Sequence, residues 1–118
     1  DSGDGTNRIA VYRNSTGGAV GLVTSGGVTQ ALISSASNLW PTVGAPHRMG
    51  LSWRGDAITF AFDGASVGTD SSATIPSGLT TLRFGSGGTG TVPLIGTLGR
   101  FLYFPRKIAD ADLVALTA

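Results

Sequence analysis

Glycine limits this chain more than any other residue: 19 of its 118 residues are glycine, and five more are proline. The glycines follow no three-residue spacing, which excludes a collagen-like helix. They mark a bend roughly every ten residues, the spacing of short strands joined by turns. Long helix-forming stretches are missing, and glutamate is absent altogether. The pattern therefore points to an all-β domain, a sandwich or a barrel. Hydrophobic residues make up 41% of the chain and the mean hydropathy is +0.21. That is enough apolar surface to drive collapse and too much for intrinsic disorder. The length is that of one domain, with no period that would signal a repeat array.

Strands and turns follow from side-chain alternation. Residues 1–7 (DSGDGTN) form a polar, glycine-rich start. Arg8–Arg13 places Ile9 and Val11 on one face and Arg8, Ala10 and Tyr12 on the other. After the turn Asn14–Gly18, the segments Ala19–Thr24 and Val28–Ser34 flank Ser25-Gly26-Gly27 as a hairpin. Residues 35–46, with Trp40-Pro41 and Pro46, are too long for a tight turn and are expected to cross between sheets. Arg48–Trp53 alternates strictly, with Met49, Leu51 and Trp53 on one face. Arg54-Gly55-Asp56 turns the chain into Ala57–Phe62, and Asp63-Gly64 turns it again into a short strand, Ala65–Gly68. Beyond a polar loop at 69–78, two further strands are expected, Leu79–Phe84 and the long, aromatic Gly96–Phe104. The total is eight or nine strands. After Ile108 the period changes: Asp110 and Asp112 precede Leu113 and Leu116, which reads as one short helix with acids at its positive end.

Charge excludes several functions. Eight Lys and Arg against seven Asp leave a net charge of +1, which gives no electrostatic footprint for nucleic acid. No apolar run approaches the roughly twenty residues of a membrane-spanning helix, so insertion into a membrane by that route is not expected. The absence of cysteine removes disulfides, thiol nucleophiles and thiolate metal sites. General acid–base chemistry would rest on seven Asp, two Tyr and the single His47. A role in binding or in structure is the better expectation.

Two stretches resemble a known family. Pro46–Val67 (PHRMGLSWRGDAITFAFDGASV) resembles the laminin-G-like or concanavalin-A-like jelly roll, with His47 at the motif's histidine, Leu51 and Trp53 on its inward strand, and Asp63-Gly64 at its closing turn. Gly96–Leu116 (GTLGRFLYFPRKIADADLVAL) resembles that family's last strand and closing helix. The tail, Tyr-x-Pro-Arg-Lys followed by an acidic helix, is similar to the C-terminal ends of tail-fibre and other virion proteins of tailed bacteriophages and of gene-transfer particles derived from them. The resemblance implies a jelly-roll sandwich of two antiparallel sheets with one short C-terminal helix. Residues 1–118 would be a single such domain and the C-terminal part of a longer chain, with one or more strands absent or supplied by a partner.

For function, the resemblance implies a non-catalytic virion module that recognises host cell-surface polysaccharide. It would sit on an extracellular particle made in the bacterial cytoplasm, beside other virion proteins and as a homo-oligomer, a trimer for a fibre end. A structural module that decorates a particle or holds an oligomer together is the alternative. A polysaccharide-degrading enzyme ranks last. No cofactor is expected: where the family often has Asp-Glu before the last strand this chain has Gly99-Arg100, which weakens calcium binding because that ion needs several hard oxygen ligands.

The residues expected to contact sugar are Trp40, Tyr12, Arg13, Asn14 and Asn38, a ring for stacking flanked by hydrogen-bonding groups. A subunit contact would make the same demand on Trp40 and Tyr12. Other candidates have simpler readings. Asp1, Asp4 and Asn7 lack EF-hand spacing and read as a solvated polar terminus. His47 has no nucleophile and orienting acid beside it in a known arrangement and reads as a cap where the chain enters the Arg48–Trp53 strand. Asp56, Asp63 and Asp70 could serve a glycosidase, yet all three occupy turn contexts that favour aspartate. Arg54-Gly55-Asp56 is read as a hairpin turn, and the Asn14-Ser15-Thr16 sequon has no meaning in a bacterially made protein.

Overall fold

The computed structural model describes residues 1–38, 44–87 and 93–118. Among these residues, six strands and one helix run in the order β1 (Arg8–Arg13), β2 (Ala19–Ser25), β3 (Val28–Ser34), β4 (Met49–Arg54), β5 (Ala57–Phe62), β6 (Ala65–Asp70) and α1 (Asp110–Leu116). They form two antiparallel sheets, β1-β2-β3 and β4-β5-β6, each a meander whose neighbours in sequence are neighbours in space. The chain is an all-β sandwich with one short C-terminal helix.

Tight turns set the registers. Asp56 and Asp63 adopt φ of 55° and 47°, the left-handed conformation that aspartate tolerates. They close the β4–β5 and β5–β6 hairpins, so that Leu51 pairs with Phe60 and Trp53 with Ile58. Gly26 and Gly27 supply the positive φ of the β2–β3 hairpin.

The middle strands β2 and β5 are buried almost throughout. The core joins Ala19, Val23, Ala31 and Ile33 of the first sheet to Ile58, Phe60 and Phe62 of the second, with Ala73 beyond β6; Ile9, Met49, Leu51 and Trp53 pack around it. The sheets stack with β1 over β4, β2 over β5 and β3 over β6, so the outer edges of β1 and β4 lie on the same flank. Gly21 permits the close approach of the layers. A Cβ there would stand 2.9 Å from Leu51 Cδ1 and 3.0 Å from the Phe60 ring.

Helix α1 packs on the other face of the second sheet. Leu113 is its buried residue and reaches Gly50, where a Cβ would meet Leu113 Cδ1 at 2.7 Å. The polar residues that alternate with the core residues anchor this tail. The Ser52 hydroxyl donates to the Ile108 carbonyl and accepts from its N–H, both at 3.2 Å. The Thr59 hydroxyl donates to Asp110 at 2.8 Å, and the Gly64 N–H donates to the Thr117 hydroxyl at 3.2 Å.

Three expectations are corrected. β6 extends to Asp70, two residues past the expected end, and takes in the start of the expected polar loop. Leu79–Phe84 and Gly96–Phe104 are not strands among the described residues, and the count is six. Alternation is necessary for a strand, but a ladder partner is what stabilises it. The described backbone bonds of this region run instead from the Thr80 and Thr81 N–H groups to the Asp1 carbonyl and from the Leu94 N–H to the Gly85 carbonyl, beside one isolated bridge between Ser86 and Pro93.

Candidate functional site

Among the described residues, strand edges without a ladder partner and exposed apolar side chains meet on one flank. A cleft of about 2340 Å³ is lined by residues of β1 and β4 and by residues 79–87 and 93–106. Its walls include Leu82, Phe84, Leu98, Phe101 and Tyr103 opposite Ile9, Val11, Leu51 and Trp53. Leu82 is 67% exposed, Ile95 97% and Tyr103 66%. Phe84 and Phe101 contact each other edge to face with centroids 4.8 Å apart. Apolar exposure gathered in one place is the surface character shared by interaction sites and ligand-binding grooves.

The cleft is also cationic. Six of the seven arginines line it (Arg8, Arg13, Arg48, Arg83, Arg100 and Arg106) against one acid, Asp1. Asp1 is already engaged: one carboxylate oxygen accepts from Arg83 Nε at 3.0 Å and the other from the Gly3 N–H at 2.7 Å. Arg48 donates to the Ala118 carbonyl. Arg8, Arg13, Arg100 and Arg106 have no ion-pair partner among the described residues, and Arg8 Nε is buried without a hydrogen-bond partner.

Of the residues expected to contact sugar, the structure gathers three at the β1–β2 turn. Asn14 caps that turn, its Oδ1 accepting from the Thr16 N–H at 3.1 Å, the Thr16 hydroxyl at 2.9 Å and the Gly18 N–H at 2.8 Å. Asn38, at φ 63°, donates its N–H to the Thr16 carbonyl at 3.0 Å. A Cβ on the intervening Gly17 would lie 3.2 Å from Arg13 Nη2 and 3.4 Å from Asn38 Cα. Tyr12 stands next along β1 and is exposed. Trp40 lies outside the described residues.

The remaining candidates are held in local structure. His47 Nδ1 lies 2.6 Å from Asp63 Oδ2, and the His47 ring stacks on Phe62 with centroids 5.4 Å apart. The other Asp63 oxygen accepts the Arg48 N–H at 2.8 Å. The pair thus fastens the start of β4 to the β5–β6 turn, the capping role read from the sequence. Asp70 accepts from the Ser72 N–H at 2.8 Å, and the Asp56 N–H donates to the Ala73 carbonyl at 3.0 Å. Asp4 Oδ1 collects the Ser2 hydroxyl at 2.5 Å and the Thr6 N–H and hydroxyl at 2.9 and 2.8 Å. The Ser2 bond first, then the two from Thr6, pull the Asp4 carboxyl from 3.8 to about 2. Asn7 Oδ1 accepts the Gly26 N–H at 2.9 Å. Among the described residues, no three His or Asp side chains form a group that could hold a metal ion.

The cleft has no signature in residue spacing. Its arginines are scattered from 8 to 106 with no common spacing, and only the fold brings them together. The usable signal was the run of large apolar residues from Leu79 to Phe104 without a single acid.

No protein-family model matches the chain, and no curated protein matches it. A solved structure of an S-layer domain-containing protein (residues 221–444) from Clostridium thermocellum is similar, with a TM-score of 0.57 and 21% identity. The match covers 100% of this chain and 59% of that one, so the chain spans about three fifths of its solved neighbour. Likeness at this identity establishes the fold: a β-sandwich domain.

Proposed function

We propose that this domain is a non-catalytic contact module of a surface particle of the tailed-phage type, which joins other chains of the particle through the β1–β4 flank. The observation that carries this reading is the exposed apolar wall from Leu82 to Phe104 beside two open strand edges. A soluble chain gains by covering such a wall, at about 25 cal/mol per Å² of apolar surface. Chemistry has little support beside it, because each aspartate considered for catalysis is engaged in turn geometry.

The test is dye binding and light scattering on the isolated chain over a range of concentrations. The expected result is strong uptake of an apolar dye and association that grows with concentration, both reduced by Leu82→Lys combined with Leu98→Lys. A chain that excludes the dye and stays monomeric throughout would refute this reading.

Recognition of host polysaccharide is a second reading, favoured by the meeting of Arg13, Asn14 and Asn38 beside exposed Tyr12. A weak single site would suffice in a multi-copy particle, where avidity adds roughly 10²–10⁴-fold. On a glycan array, Tyr12→Ala and Trp40→Ala would each abolish binding; arrays that stay blank with the unaltered chain would remove this reading.

A further inference from the structure

We propose that the β1–β4 cleft is a receptor for an extended polypeptide strand from a partner chain, one in which apolar residues alternate with Asp or Glu. This rests on the reading of the domain as a contact module and specifies what the contact takes.

The cleft, at about 2340 Å³, is larger than the ~300–1,000 Å³ of ordinary small-molecule pockets and has room for a polypeptide segment. Its sides call for a strand. β1 and β4 are each the outer strand of a three-stranded sheet, and an outer strand directs every second N–H and C=O away from its one partner. Among the described residues no backbone group outside the first sheet bonds to Arg8–Arg13. Both edges open into the same cleft, which is the arrangement for recognition by strand addition, with main-chain bonds supplying affinity and alternate side chains specificity.

The walls set the side chains. Leu82, Ile95, Leu98 and Leu102 are aliphatic and exposed, so one face of the added strand is apolar. A polysaccharide would set hydroxyls against those walls without partners. The other face is acidic by charge complementarity. Among the described residues Arg8, Arg13, Arg100 and Arg106 lack carboxylate partners and the buried Arg8 Nε has no hydrogen-bond partner, and guanidinium groups bind carboxylates in a planar fork. A cleft lined by one sign of charge concentrates ions of the other sign. The two undescribed segments, residues 39–43 and 88–92, contain no charged residue, so they leave this balance unchanged. A second copy of the chain fits less well: its stretch of acids alternating with apolar residues, Ala109–Leu113, runs into helix α1 and is not an extended strand.

The experiment titrates the 118-residue chain with three synthetic ten-residue peptides, acetyl-(Val-Asp)5-amide, acetyl-(Val-Lys)5-amide and the Val-Asp peptide N-methylated at every second residue. Polygalacturonate is a fourth probe. Calorimetry reads affinity, and amide hydrogen exchange reads protection of β1 and β4. The Val-Asp peptide is expected to bind at least tenfold tighter than the Val-Lys peptide and to slow exchange along both edges. N-methylation is expected to abolish binding with the protein itself unaltered, and Arg8→Gln with Arg100→Gln to weaken it several-fold. Equal affinity for the Val-Asp and Val-Lys peptides, unprotected edges, or tighter binding of polygalacturonate would each overturn the proposal. Self-association measured on the same sample separates the two claims: a chain that associates but does not discriminate between the peptides retains the contact reading and loses this one.

Discussion

At the level of single residues, Gly21 and Asp63 carry much of the arrangement. Gly21 lies where the two layers come closest, and the Phe60 ring facing it is fully buried. Leu51 could rotate away from an added Cβ, but Phe60 has no room. Gly21→Ala is therefore expected to lower unfolding free energy by about 1–3 kcal/mol, the usual cost of overpacking, read from the urea midpoint. Asp63 is half a hairpin turn and half a clamp: its two oxygens hold the Arg48 N–H and the His47 ring. Asp63→Ala is expected to cost about 1 kcal/mol and to increase hydrogen exchange at Arg48. Unchanged stability would mean that the pair is incidental.

Helix α1 shows how the outer elements depend on a few polar bonds. The Asp110 carboxyl is held below the ordinary carboxylate value, first by the Lys107 ammonium at 2.6 Å and then by the Thr59 hydroxyl. Because the folded chain binds that proton less readily than the unfolded chain, the contribution is fully present above the ordinary value of 3.8. It is lost as pH falls through the lower, folded value. Acidification below about pH 4 is expected to loosen the helix, followed by exchange at Leu113, while Asp110→Asn makes that exchange insensitive to acid in the same window.

The same scale explains what could be read without coordinates. β1 to β5 and α1 were legible to within a residue or so because each strand pairs with its neighbour in sequence, across turns announced by Ser25-Gly26-Gly27, Gly55-Asp56 and Asp63-Gly64. Leu79–Phe84 and Gly96–Phe104 carry comparable apolar content, yet whether they form strands depends on a distant edge that no local pattern specifies. The cluster at 12–14 and 38 was half legible, since three of its members adjoin in sequence and Asn38 reaches them only through its bond to Thr16.

For the whole molecule, the sandwich is well packed where β2 and β5 cross and open where β1 and β4 end. An edge without a ladder partner among the described residues invites pairing with another chain, and six of the seven arginines line the cleft beside it. The asymmetry accounts for a domain with a net charge of only +1 that still presents a strongly cationic flank. The most direct measurement is the structure of this domain in place in the particle proposed for it. The account predicts polypeptide from outside these 118 residues lying along the edges of β1 and β4, with Leu82, Leu98 and Phe101 buried beneath it and acidic side chains at Arg8 and Arg100. A flank left facing open solvent in that proposed assembly would contradict it.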